Sequence, residues 1–96
     1  MKKDNQQPIK EAIELFVRQY GLENKLRSVK IEESWHQIVG DYVSKKTLNT
    51  REQAGVLFVS IESSELKNEL LYAKSKIISS INEKIQENYL LDVRFI

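Results

Sequence analysis

His36 is the only histidine in the chain, so it is the one imidazole that could act as a general base beside a serine or threonine hydroxyl. It lies between Trp35 and Gln37 in a predicted helix. The spacing of the neighbouring apolar residues places it on the polar side of that helix. Spacing fixes no nucleophile or acid beside it, and one suitable residue without partners is not a catalytic site. We interpret His36 as an exposed surface residue.

Glutamates occur in two close pairs, Glu32 with Glu33 and Glu65 with Glu69, and carboxylates are the residue type that acid–base catalysis needs. Glutamates also line solvated helix faces routinely, and neither pair has a partner fixed by spacing. The three glycines are isolated, so the sequence contains neither of the glycine-rich loops that cradle nucleotide phosphates. We therefore expect a protein that is not an enzyme.

Cysteine is absent from the sequence, which excludes disulfides, thiolate nucleophiles and cysteine-based zinc sites. A single histidine also falls short of the usual set of metal ligands. We expect neither a metal site nor a cofactor.

Basic residues form the main candidate binding site. The five that could meet phosphates are Lys45, Lys46 and Arg51 around the first predicted strand and Lys67 and Lys74 on one edge of a predicted long helix. The net charge is +1, so DNA binding would depend on this local patch and would be weak and non-sequence-specific. The alternative is that these five residues bind no partner and serve only to keep the protein soluble.

Two further modes of nucleic-acid recognition are not expected. The sequence shows no alternation of exposed aromatic and basic residues, which base stacking on single strands would favour. It also lacks the GXXG loop with which KH domains clamp nucleic acid. Sequence-specific reading of RNA is therefore disfavoured.

Two apolar stripes at helical spacing predict two N-terminal helices. The first helix begins at Pro8 and ends before Gly21, which has the position of a C-terminal cap. The second stripe continues past Gly40, where a missing side chain would let another backbone approach closely. The stripes consist of Ile9, Ile13, Phe16, Val17 and Tyr20 in the first helix and of Ile31, Trp35, Ile38 and Tyr42 in the second. We expect Trp35 and its stripe in the core.

Three strands and one long helix follow in the sequence. Residues 47–53 form a weak, polar edge strand, Ala54 and Gly55 make the turn, and residues 56–61 are apolar on both faces and predict the central strand. The long helix runs from Ser63 or Ser64 to about Asn88. Its apolar stripe is Leu66, Leu70, Ala73, Ile77, Ile81 and Ile85, and the final strand alternates Leu91, Val93 and Phe95 with polar residues.

The apolar face of the long helix is broader than one sheet needs, because Leu71 and Ile78 extend it on one side. We predict that these two residues bind a protein partner. The partner is a different protein or a second copy of the chain.

The order of elements is α-α-β-β-α-β, and a hairpin followed by a helix and a third strand places that helix on one face of the sheet. We predict a single two-layer α+β domain of KH-like character over residues 8–96, with a three-stranded sheet covered on one face by helices. Residues 1–7 are expected to be a disordered N-terminal tail. The sequence contains no signal peptide and no apolar run of membrane-spanning length, which favours a cytoplasmic protein with no membrane contact.

An ordered set of segments carries a family resemblance over about residues 9 to 96. The segments are Trp35-His36-Gln37-Ile38-Val39-Gly40, the strand that begins at Thr47, Leu57-Phe58-Val59-Ser60-Ile61, Ser63-Ser64-Glu65-Leu66-Lys67-Asn68-Glu69-Leu70 and Val93-Arg94-Phe95. In this order they resemble the DciA-type family.

The resemblance implies a KH-like domain with a role in bacterial DNA replication, where DciA-type proteins associate with the replicative helicase and help to load it on DNA. It also implies a protein that is not an enzyme. The chain is similar to the short form of the family, which lacks the C-terminal extension that longer members use in partner contacts. The resemblance therefore leaves two alternatives: helicase binding is lost, or it uses the domain itself. The alternative is a protein-interaction module or homodimer without nucleic-acid binding, formed through Leu71 and Ile78 or through the open sheet edge.

Overall fold

The computed structural model describes the backbone of residues 2–96 and the side chains of residues 8–96. The elements are α1 (Lys2–Gln19), α2 (Glu23–Lys46), β1 (Thr47–Gln53), β2 (Val56–Ile61), α3 (Ser64–Tyr72), α4 (Lys74–Ile85) and β3 (Asp92–Phe95). This arrangement confirms the predicted α+β class and its three-stranded sheet. The predicted tail, residues 1–7, lies outside the residues whose side chains are described, and its disorder stays a prediction. The KH-like character also stays a prediction.

The sheet has the strand order β1-β2-β3, so β2 is the central strand as predicted. β1 is antiparallel to β2, and β3 is parallel to it. The turn residues Ala54 and Gly55 have φ values of 53° and 86°, the signs that a two-residue hairpin turn requires, and the turn sets Gln53 opposite Val56. A register shift between Thr47 and Asn49 leaves Leu48 as an extra, exposed residue.

The hydrophobic core lies between one face of the sheet and the helices α2, α3 and α4, which gives the predicted two layers. Alternate residues of β2 point into it because side chains alternate along a strand. The buried apolar residues are Ile31, Trp35, Leu57, Val59, Ile61, Leu66, Leu70, Ile77, Ile81, Leu90 and Val93. The stripe predicted for the long helix supplies four of them.

Trp35 is fully buried, as predicted, and it links α2 to both edge strands. Its indole Nε1 donates a hydrogen bond to Thr47 Oγ1 of β1 over 3.1 Å, and that hydroxyl donates to the carbonyl of Val43 over 2.8 Å. On the other side, its ring centroid lies 6.0 Å from that of Phe95 in β3. The indole therefore fills the core and satisfies its one polar atom.

Gly40 lies inside α2, because the stripe continues past it as predicted, and it kinks the helix with a non-helical backbone, φ 86° and ψ 172°. The prediction that another backbone approaches Gly40 closely is wrong, because a Cβ at this position would meet no atom of a neighbouring segment within 4 Å. Glycine is needed for its positive φ instead. His36 Nδ1 and Ser44 Oγ, one on each side of the kink, lie 2.6 Å apart. The kink also leaves Tyr42 exposed, where core packing was expected.

The sequence predicts a single long helix, and this prediction is wrong. The structure has two shorter helices, α3 and α4, with a break at Ala73. A straight helix of about 25 residues would be roughly 37 Å long, far longer than the strand beneath it. The break lets Leu66 and Leu70 of α3 and Ile77 and Ile81 of α4 all reach the core. α4 then ends at Ile85, with Gln86 in a left-handed conformation.

The first helix is present, but it begins at Lys2 and not at Pro8 as predicted, and its apolar stripe does not join the core. Ile9, Ile13, Phe16 and Tyr20 remain 54–63% exposed, and only Val17 is half-buried among the described apolar residues of that stripe. The helix ends as predicted at Gly21, whose φ of 65° allows the Leu22 N–H to bond the Val17 carbonyl over 2.9 Å. Within residues 8–20, α1 and the residue that follows it therefore present an exposed apolar face.

We expect Trp35→Ala to lower the free energy of unfolding by about 3 to 5 kcal/mol, because it empties the centre of the core. Trp35→Phe keeps an aromatic ring but loses the hydrogen bond to Thr47, and it should cost less, about 1 to 3 kcal/mol. Urea unfolding followed by circular dichroism measures both, since each variant lacks the only tryptophan. A loss below about 1 kcal/mol for Trp35→Ala would contradict the central place of this side chain.

Candidate nucleic-acid interface

The face of the sheet turned away from the helices, which we call the open face, carries three cross-strand rows of side chains. The register places Asn49 beside Ser60 in the first row, Arg51, Phe58 and Arg94 in the second, and Gln53, Val56 and Asp92 in the third. These residues alternate with the core residues along each strand. The open face is therefore mostly polar, with the apolar residues Val56 and Phe58 along its central strand.

Arg51 lies in the middle row of the open face, and its guanidinium carbon is 4.9 Å from the centroid of the Phe58 ring. This distance is within the range of a cation–π contact. Nη1 of Arg51 also donates to Gln53 Oε1 over 2.8 Å, so the side chain is held along β1. Arg94 flanks Phe58 from the other strand and is largely exposed.

Three of the predicted lysines belong to chain segments that meet at the C-terminal end of β2. Lys45 and Lys46 form the last turn of α2, and the Lys46 carbonyl accepts a hydrogen bond of 3.2 Å from the Glu62 N–H, just after β2. Lys67 is in the first turn of α3 and bonds the Ser63 carbonyl through its backbone. Cations at the end of α2 also stabilise the helix dipole, so these lysines have a structural role as well.

An exposed aromatic residue accompanies these lysines. The Lys46 ammonium lies 5.9 Å from the centroid of the Tyr42 ring, and Tyr42 is 66% exposed. This places a second aromatic ring beside a cation on the surface, one helical turn away along α2.

Lys74 is not in this group. Its ammonium forms an ion pair of 3.3 Å with Asp92 Oδ1. Asp92 is opposite Val56, the first residue of β2, so this pair lies at the other end of the strand, roughly 17 Å from Ile61 by the rise per residue. The structure therefore brings Lys45, Lys46 and Lys67 to one end and separates Lys74 from them.

Asp92 accepts hydrogen bonds from three donors. They are the Val93 N–H at 2.8 Å, the Lys74 ammonium and Arg94 Nε at 3.3 Å. Partial burial acts to raise its pKa, but the hydrogen bond from Val93 and the two cations outweigh it and hold the pKa of Asp92 below its usual value of 3.8. Asp92 is therefore an anion whose charge is matched by neighbouring cations.

Leu71 and Ile78, the predicted partner-binding residues, lie on either side of the break at Ala73. Leu71 is 51% exposed on α3, whereas Ile78 on α4 is half-buried and packs against the core. Leu71 is therefore accessible to a partner, and Ile78 contributes to the domain's own packing. Their role in binding stays a prediction.

The sequence shows no alternation of aromatic and basic residues along the chain, but the structure forms one by pairing strands. The alternation exists across the strands, where Phe58 lies between Arg51 and Arg94, and not along the chain. The pairing of Arg51 with Phe58 could be predicted from the sequence, because a two-residue turn at 54–55 sets these residues opposite each other. The parallel pairing of Phe58 with Arg94 could not be predicted in this way, because a long crossover connection does not fix the register of the two strands.

The loop between α4 and β3 depends on Asn82, which sequence reasoning also missed. Its Oδ1 accepts from the N–H groups of Tyr89 and Leu90 over 3.3 and 2.8 Å, and its Nδ2 donates to the Leu90 carbonyl over 3.1 Å. Arg27 reinforces the loop through an ion pair of 3.0 Å with Glu87. These contacts fix where β3, and with it Arg94, joins the sheet.

Two features of the described residues concern metal and membrane binding. Among residues 8–96, no group of three or more histidine, aspartate or glutamate side chains could hold a metal ion. None of the helices within the described part of the chain combines the length and hydropathy of a membrane span.

Comparison with known protein families matches the chain to a family. The family model described as "Dna[CI] antecedent, DciA" matches residues 8–95, nearly the whole chain. No curated protein matches the chain.

The lowered pKa of Asp92 predicts a pH-dependent contribution to stability. The carboxylate stabilises the fold above its unfolded pKa, and this contribution is lost as the pH falls through the lower folded pKa. Asp92→Asn should therefore unfold more easily than the wild type near pH 7, and the difference should shrink as the pH falls below about 4. Urea unfolding from pH 7 to pH 2.5 measures it, with the exposed Asp41→Asn as the control. A difference that stays constant over this range would contradict the ion-paired state of Asp92.

Proposed function

The chain belongs to the DciA family, which is associated with loading of the replicative helicase, and on this premise we propose that it is a non-catalytic, DNA-associated adaptor in bacterial replication. It binds DNA weakly and without sequence preference, and it contacts the helicase as its protein partner. The observation that carries the DNA half is the meeting of the Lys45, Lys46 and Lys67 segments at one end of β2.

Lysines in such an arrangement favour phosphate contacts over base contacts. An ammonium group on a flexible stem is a point charge that neutralises a phosphate and releases counterions, without reading a base edge. The net charge of +1 limits attraction at long range, so binding should be measurable mainly at low salt. Weak DNA binding suits an adaptor, because stable binding to the strand is then the role of the helicase.

Charge reversal of Lys45 and Lys46 together should weaken DNA binding and flatten its salt dependence. Each lost phosphate contact lowers the slope of log K against log salt by about 0.9 for duplex DNA and about 0.7 for single strands. Fluorescence anisotropy with labelled oligonucleotides between about 20 and about 200 mM salt measures both quantities.

The control is charge reversal of Lys25 and Lys30, two exposed lysines in the first half of the same helix. It changes the net charge by the same amount at a distance from the proposed contact. If both charge reversals weaken DNA binding equally, the effect comes from net charge, and Lys45 and Lys46 do not form a binding site. Absence of DNA binding by the wild type at the lowest salt would overturn the DNA half of the function.

Self-association is a second candidate function, and the exposed face of α1 favours it. Ile9, Ile13, Phe16 and Tyr20 recur at helical spacing on one side, and the rings of Phe16 and Tyr20 lie 4.6 Å apart. Monomeric proteins rarely leave such a continuous apolar stripe uncovered. We propose that a second copy of α1 covers it, because the helix carries both signs of charge, including Lys10 and Glu14, and can face itself without net repulsion.

The double substitution of Ile13→Glu and Phe16→Glu should abolish this association without unfolding the domain, because both side chains lie outside the core. Sedimentation velocity from about 1 to about 200 μM should show the wild type moving from monomer to dimer, as a contact of micromolar affinity would require. The variant should remain monomeric, and Tyr72→Glu, on α3, should behave as the wild type. A wild type that is monomeric throughout this range would contradict the proposal.

A further inference from the structure

The middle row of the open face has the composition of a base-stacking platform. Phe58 lies on the central strand, with Arg51 on one side and Arg94 on the other. All three belong to neighbouring strands, about 4.8 Å apart, so a single nucleotide covers the row. The ring is half-buried, which leaves part of its surface open to a ligand.

A nucleotide has the two chemical features that such a row matches. Its base presents a flat π surface, which stacks on an aromatic ring or on a guanidinium plane, and its phosphate pairs with a guanidinium. Stacking requires a base that is free of its neighbours, so a single strand fits the row and an intact duplex does not. We infer that the open face binds single-stranded DNA, with a base stacked against the Phe58 ring and the Arg51 guanidinium that lies over it, and with Arg94 beside an adjoining phosphate.

Charge on the open face supports this ligand over a neutral one. The rows carry two arginines and one carboxylate, Asp92. That carboxylate is paired with Lys74, and Arg94 bonds it through Nε alone, which leaves the terminal amino groups of the exposed Arg94 for a phosphate. No other face of the sheet is available, since the opposite face is covered by helices. The inference rests on the proposed association with DNA, and it adds to it a preference for single strands and the residue that supplies the preference.

The test uses the full chain with two labelled probes, a 15-nucleotide oligothymidine and a hairpin duplex of similar charge. Phe58→Leu keeps an apolar side chain on the central strand and removes the ring. It should weaken single-strand binding by roughly fivefold to a hundredfold, the range expected for one lost base stack, and change duplex binding by less than about twofold. Tyr72→Leu removes an aromatic residue that is 93% exposed on α3 and should leave both affinities unchanged.

Each outcome decides between the two proposals. If the wild type binds neither probe at low salt, the proposed DNA association fails and this inference with it. If the wild type binds DNA and Phe58→Leu binds single strands as tightly as the wild type, the association stands and the stacking platform is overturned. The platform is also overturned if Phe58→Leu weakens the binding of both probes equally.

A second measurement needs no substitution and so does not depend on the folding of a variant. An oligonucleotide that contains 5-iododeoxyuridine is irradiated with the wild-type protein, and the adduct is located by mass spectrometry after trypsin digestion. The platform predicts an adduct at Phe58, within the peptide that spans residues 52–67. Adducts confined to other aromatic residues, such as Tyr42, would overturn it.

Discussion

The buried side chain of Trp35 joins the helical layer to both edges of the sheet. One side chain of α2 reaches the first residue of β1 through a hydrogen bond to Thr47 and contacts Phe95 of β3 with its ring. These are the two edge strands, so a single anchor aligns both of them under the helical layer. The anchor also commits one face of the sheet to the core, which leaves the other face free for binding.

Because that division of the sheet follows from register, register also decides which side chains can act together. The turn at Ala54 and Gly55 sets β1 against β2, and the Asn82 contacts fix where the chain enters β3. Arg51, Phe58 and Arg94 become neighbours only through these two devices. The segments that carry Lys46 and Lys67 meet at the end of β2 for a different reason, the short path from α2 through Thr47 into the sheet. The two proposed binding surfaces therefore have separate structural causes.

Much of the fold could be predicted from the sequence, because local patterns determine it. The bounds of β1 and β2, the turn between them and the burial of Trp35 all follow from alternation and helical spacing. Three features could not be predicted in this way. The break at Ala73 comes from the limited length of the sheet, the exposed stripe of α1 resembles a core face in sequence, and the pairing of Phe58 with Arg94 spans a crossover. Each depends on contacts between distant parts of the chain.

The proposed role of this domain is to connect DNA with the replicative helicase. The most direct measurement incubates the purified helicase of the same organism with circular single-stranded DNA, with and without the chain, and quantifies the helicase that co-purifies with the circles. We expect the chain to increase the amount of loaded helicase, and we expect the Lys45 and Lys46 charge reversal to reduce the increase. An equal amount of loaded helicase with and without the chain would contradict it.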